Sequence, residues 1–225
     1  MSMGIGLILG RAEATRAVQE SLAGKWVWDE KTAEGWAADL AAVRAQQAQL
    51  TGLEQDAGRA RADVDATLRD VYARTVQGLG MARAKYRNDP VTLAVLDDLD
   101  AVMESRQDAL DDAEAWETAW EDLPDRDWSP TPTNTRPALS ALRQAAAAKL
   151  QALNTLVAEE RRVRKEFNEL AGRLWEDCVA WYEAACLLFS ADTPEGQAIR
   201  AGIPTPGAGR GPAATTARAS SGDQA

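Results

Sequence analysis

Apolar and small residues recur at alternating spacings of four and three along most of the chain. That is the pattern of helices that each bury one stripe. Over 32–87 the stripe is Trp36, Leu40, Val43, Leu50, Ala57, Val64, Leu68, Val71, Thr75, Leu79, Ala82 and Tyr86. Gln47, Glu54 and Arg61 fill the intervening positions, so the seam turns polar between Gly52 and Gly58. Two readings stand. One is a single helix of about 56 residues, roughly 84 Å at 1.5 Å per residue; the other is a break near 52–58. The heptad phase continues across the polar zone, which favours the single helix.

Asn88-Asp89-Pro90 then punctuates the pattern. Asp89 can cap a new helix with Pro90 in its first turn. The spacing of Leu99, Met103, Leu110, Ala113 and Trp120 predicts that this helix runs over 90–122. Pro124, Pro130, Pro132 and Pro137 exclude a helix from the next segment, since an interior proline costs about 3 kcal/mol. Fully extended, 123–137 crosses roughly 45 Å at about 3.3 Å per residue. The strongest stripe follows, over 137–189, from Leu139 and Leu142 through Leu153, Val163 and Phe167 to Cys178, Trp181 and Leu188. Thr193-Pro194-Glu195 opens a short helix within 191–202, stopped by Gly202.

The ends differ from this middle. Residues 1–31 form an N-terminal arm with a short helix over 11–23 (Ala14, Val18, Leu22), stopped by Gly24, and an extended stretch at 25–29. Residues 203–225 are Gly/Pro/Ala-rich and read as a flexible tail. The expected fold is therefore all-α. It is an elongated, antiparallel three- to four-helix bundle of coiled-coil character over 32–190, flanked by the arm and the tail.

Composition strengthens the helical reading. Ala and Leu dominate the apolar residues, and Ile occurs only at positions 5, 8, 199 and 203 of the 225. Such a set suits helices and not a sheet of β-branched and aromatic residues. It also removes chemistry. With no His there is no Ser-His-Asp triad, His-ligated metal or imidazole switch. Two cysteines cannot make a Cys₄ site, and a net charge of −10 opposes nucleic-acid coating. No cofactor is expected. No apolar run reaches the roughly 18–20 residues of a bilayer span. The apolar start from Gly4 to Gly10 lacks a basic flank, so no signal peptide is read and a cytoplasmic location is the default expectation.

The charge has an address. Thirteen acids lie between Asp97 and Asp127, against Arg106 and Arg126. The stretch 59–87 is net basic, and Arg161, Arg162, Arg164 and Lys165 form a second basic patch. Asp108, Asp111 and Asp112 on one side, and Arg161, Arg162 and Arg164 on the other, are candidate partner-binding charges. The plainer alternative is a solvated face with interhelical pairs worth about 0–1 kcal/mol each. Asp125-x-Asp127-x-Ser129 begins like a calcium loop, but Pro130 replaces the loop glycine and Arg136 the closing Glu, so no metal is expected.

Eight tryptophans are many beside two Phe. Trp26, Trp28, Trp116, Trp120 and Trp128 are either plugs of an Ala-rich core or anchors of a subunit contact. Cys178 and Cys186 lie about 12 Å apart along one predicted helix and cannot bridge each other. Gly207–Gly211 lacks the Gly-Lys-Ser/Thr of a phosphate loop.

Lys85-Tyr86-Arg87-Asn88-Asp89-Pro90 with Leu93–Asp97, Asp177-Cys178-Val179-Ala180-Trp181-Tyr182, and Thr193-Pro194-Glu195-Gly196 with Ile199-Arg200 resemble segments of uncharacterised bacterial helical proteins, over roughly 32–205. The resemblance implies a helical fold and no known activity. The expectation that emerges is a non-enzymatic structural protein. It would be a helical rod that self-assembles through bundle faces and terminal arms into a filament, fibre or particle. The alternative is a monomeric acidic adaptor for a basic protein, and the remaining option is a His-free carboxylate enzyme. The expected partner is protein, with no nucleic acid and no membrane span.

Overall fold

The computed structural model describes residues 4–22, 25–125 and 127–203. Among them are six helices: α1 (Ile5–Ser21), α2 (Ala33–Lys85), α3 (Pro90–Asp97), α4 (Arg106–Glu121), α5 (Arg136–Leu188) and α6 (Pro194–Gly202). The only β-type pairings among the described residues are isolated bridges, Trp28 with Lys31 and Thr131 with Asn134. Much of the expected 203–225 tail, from residue 204 on, lies outside the described residues.

The chain divides into two compact units, Met1–Gln47 with Lys165–Ala225, and Ala48–Arg164. The first unit has a core from α1 (Ile8, Ala12, Val18), the start of α2 (Trp36, Leu40, Val43), the end of α5 (Leu174, Cys178, Trp181) and α6 (Ile199). Ile203 is also buried there, so the expected tail begins with a core residue. In the second unit Val64, Leu68, Val71 and Leu79 of α2 meet Leu96 of α3, Trp116 and Trp120 of α4, and Leu139, Ala146 and Leu153 of α5.

α2 passes unbroken through Gly52 and Gly58. Leu50, Ala57 and Val64 are all buried, so the apolar phase holds, while the exposed Glu54 and Arg61 pair with Arg164 and Glu160 of α5. The single helix expected over 90–122 is instead two. α3 ends at Asp97, residues 98–105 are not helical, and α4 starts afresh. The cause is local: Ser105 closes a capping box with Asp108, its hydroxyl accepting from Asp108 N while the Asp108 carboxylate accepts from Ser105 N. The heptad position Met103 accordingly lies exposed. The N-terminal helix begins at Ile5 and not near 11, so the Gly4–Gly10 stretch is mostly helical. The expected extended stretch at 25–29 contains only the Trp28 bridge, closed by a turn in which Asp29 and Glu30 have φ of 47° and 59°.

Candidate functional site

The surface that stands out is on the second unit, over residues 90–105. Asp89 caps α3, its carboxylate accepting from Val91 N and Thr92 N, both at 3.2 Å. These bonds hold the Asp89 carboxyl below its ordinary pKa, the Thr92 side-chain bond contributing most. From α2, Arg83 donates to Leu96 O at 3.1 and 2.8 Å and to Leu99 O at 2.7 Å, and pairs with Asp97 at 3.2 Å. One side of α3 is thus pinned, with Leu96 wholly buried. Positions 91, 94, 95 and 98 share the other side, by helical spacing. Val91 is 76 % exposed and Val95 53 %, and Ala94 and Asp98 are exposed with them. Val102 and Met103, in the non-helical segment that follows, are exposed as well. A groove of about 150 Å³ beside α3 is lined by Val91, Val95, Leu96, Ala119 and Leu123. Asp98, Asp100 and Glu104, along this segment, make no ion pair among the described residues.

Of the two readings of the tryptophans, core plug or subunit anchor, Trp116 and Trp120 take the first. Trp116 and Trp120 are each 1 % exposed and stack at 5.0 Å, so they are core residues. Trp120 Nε1 donates to Trp128 O at 3.0 Å, and half-buried Trp128 meets the edge of Tyr86. Lys85 lies 5.0 Å from the Trp128 ring and 2.7 Å from Asp125. Desolvation opposes the Lys85 charge, but Asp125 and Tyr86 outweigh it and raise its pKa. Asn134 adds a tie from the loop to α2, donating to Arg74 O at 2.9 Å and Gln77 Oε1 at 3.1 Å. The aromatic cluster therefore fastens the proline-rich loop.

Most candidate charges are also used inside the chain. Asp108 serves the capping box, Asp112 accepts from Val102 N at 2.9 Å, and Asp111 accepts from Gln107 at 2.8 Å. Arg143 holds Glu117 at 2.9 Å and Glu114 at 3.3 Å, and Arg136 holds Glu121 at 3.0 Å. These pairs line a cavity of about 330 Å³ between α4 and α5. Arg162 pairs with Glu159, and Arg164 bridges Glu160 at 2.7 Å and Glu54 at 2.8 Å. The Arg164 bond, with Arg61 adding to it, keeps the Glu160 carboxyl low. Arg161 stands exposed. Several acids of the 97–127 stretch are therefore tied within the chain, while others, Asp98, Asp100, Asp122 and Asp127 among them, are exposed.

The first unit holds a polar row that the sequence reading passed over. Arg11, Thr15 and Gln19 lie four apart on α1 and are all buried. Arg11 sits over Trp175 and Tyr182, at 5.0 and 5.4 Å from the ring centroids. Gln19 accepts from Trp181 Nε1 at 2.7 Å and donates to Trp26 O at 2.8 Å, which fixes half-buried Trp26. Trp28 stacks on Trp36 at 6.5 Å. Lys31 bridges Asp177 at 2.5 Å and Asp39 at 2.6 Å. Burial pulls the Lys31 pKa down, but the two carboxylates prevail and it ends above its ordinary value. Burial pushes the Cys178 thiol up to about 11. A groove of about 590 Å³ between α1 and α5 is lined by Ile5, Ile8, Phe167 and Trp175. The signal for the polar row was its spacing on an apolar helix face.

Among the described residues there is no group of three or more Cys, Asp or Glu placed to hold a metal ion. Nor is any helix among them long and apolar enough to cross a membrane. No family model matches the chain, and no curated protein or solved structure matches it either.

Proposed function

We propose that this chain is a non-enzymatic structural protein, a helical bundle that self-associates into a larger assembly. The observation that carries the reading is the uncovered face of α3. Val91, Val95, Val102 and Met103 are exposed on one short segment, rimmed by Asp98, Asp100 and Glu104. Apolar residues grouped in this way mark a protein contact, whereas scattered ones need no explanation. The order of the interhelical partners supports antiparallel packing of α2 on α5. In the second unit Glu54, Arg61 and Asp63 of α2 meet Arg164, Glu160 and Lys149 of α5 in reverse order. In the first unit Asp39 shares Lys31 with Asp177, and Gln46 bonds Glu166. Such paired charges fix register and contribute little stability.

A second reading keeps the notion of an acidic adaptor. The unpaired carboxylates around the α3 face suit a basic protein as well as a second copy. Negative-stain microscopy of the full chain separates the two. Regular oligomers or filaments support self-assembly. Isolated small particles at every concentration contradict it and leave the adaptor reading.

A further inference from the structure

The exposed face of α3 carries opposite charges at its two ends. Arg87 lies in the turn before α3, two residues from the cap Asp89, so at most about 7 Å of chain separates it from the N-terminal end. Asp98 caps the C-terminal end, and Asp100 follows it by two residues. At 1.5 Å per residue the two caps stand about 14 Å apart. Arg87, Asp98 and Asp100 are all exposed, and none makes an ion pair among the described residues. Asp89, at the same end as Arg87, is engaged in its capping bonds to Val91 N and Thr92 N. Asp98 stands where the helix dipole disfavours a carboxylate, so a cation brought to that end gains most there. Between the ends Val91 and Val95 project one turn apart, beside the groove of about 150 Å³ that Leu96, Ala119 and Leu123 also line.

A second copy of α3, turned end for end, answers these features together. The antiparallel register that sets Val91 against Val95 of the other copy also sets residue 87 level with residue 99, between Asp98 and Asp100. We propose that two copies pair their α3 helices antiparallel about a two-fold axis. Val91 and Val95 of each copy pack on Val95 and Val91 of the other, and Arg87 of each meets Asp98 and Asp100 of the other. A parallel pair would set the aspartates against their own copies, so the charges fix the direction. The contact is isologous: one patch serves both copies, and each charge pair occurs twice. The proposal rests on the self-association reading and names its contact. α3 is only about 12 Å long. The patch is therefore smaller than the roughly 800 Å² per partner of a standard interface, and the dimer dissociates on dilution.

Charge reversal tests it on the full chain, with sedimentation equilibrium as the readout and far-UV circular dichroism as the check on folding. One variant carries Arg87→Glu, the other Asp98→Arg with Asp100→Arg. Alone, each sets like charges against one another at both ends of the contact and should weaken self-association by at least about tenfold. Mixed in equal amounts, the two variants form a dimer with opposite charges at both ends. The mixture should recover association to within about threefold of the unaltered chain. A variant that fails to fold produces no such recovery. Weakening in both variants without recovery on mixing overturns the pairing. Unchanged association in either variant overturns the contact while leaving self-association standing. An unaltered chain that stays monomeric at every concentration overturns self-association and the contact with it.

Discussion

Gly78 shows how a single hydrogen atom can hold a core together. A Cβ at this position would lie 2.7 Å from Trp116 Nε1 and 3.1 Å from its Cε2. The indole is buried and stacked on Trp120, so it has no free direction in which to move. Gly78→Ala should therefore destabilise the chain by about 1–3 kcal/mol in urea unfolding, although alanine is the better helix former. Gln19→Leu should cost about 1–3 kcal/mol by stranding Trp181 Nε1 and Trp26 O. Neither residue is conspicuous in the sequence. Gly78 reads as a blemish in a helix and Gln19 as a polar position, because the partner that gives each its role lies far along the chain. Cys178 was legible: its place on the apolar stripe predicts burial, and the thiol is held at about 11. Alkylation of the native chain near neutral pH should modify half-buried Cys186 first and reach Cys178 only on unfolding, as peptide mass spectrometry would show.

At the scale of elements, periodicity located most helices and failed where caps decide. α2 and α5 follow their seams closely, and the phase through Leu50, Ala57 and Val64 carried α2 past two glycines. The stretch 90–122 kept a four-and-three pattern through Leu99 and Met103, yet the chain leaves the helix there. Ser105 with Asp108 offers a new N-terminus, and Arg83 takes the carbonyls of Leu96 and Leu99. The first signal is local and was available in the sequence; the second depends on α2 lying alongside. Ser105→Ala should cost about 1 kcal/mol, read as a lower urea midpoint with unchanged slope. The tryptophans teach a related lesson. Spacing placed Trp116 and Trp120 on one face and allowed a core role, but what covers that face lies far along the chain: α2 at Gly78 for Trp116, and the loop at Trp128 for Trp120.

For the whole molecule, the charge pattern carries a pH response with a definite sign. Asp65, Glu159, Glu160 and Glu195 are each held below their ordinary values, first by hydrogen bonds from Arg106, Arg162, Arg164 and Lys25 respectively. A lowered carboxyl stabilises the folded chain fully above its unfolded pKa and loses that contribution as acid protonates it. Thermal midpoints should therefore fall as the pH drops below about 4. Lys31 acts in the opposite sense. Its raised pKa contributes fully below the unfolded value and is lost as the pH climbs beyond about 10.4. The absence of histidine leaves the region between without an imidazole titration.

Self-association, proposed above for this helical protein, is read from its mass in solution. Size exclusion with light scattering should give a weight-average mass that rises above 24.2 kDa with loading concentration. A mass fixed at 24.2 kDa from the lowest concentration to the highest would contradict it.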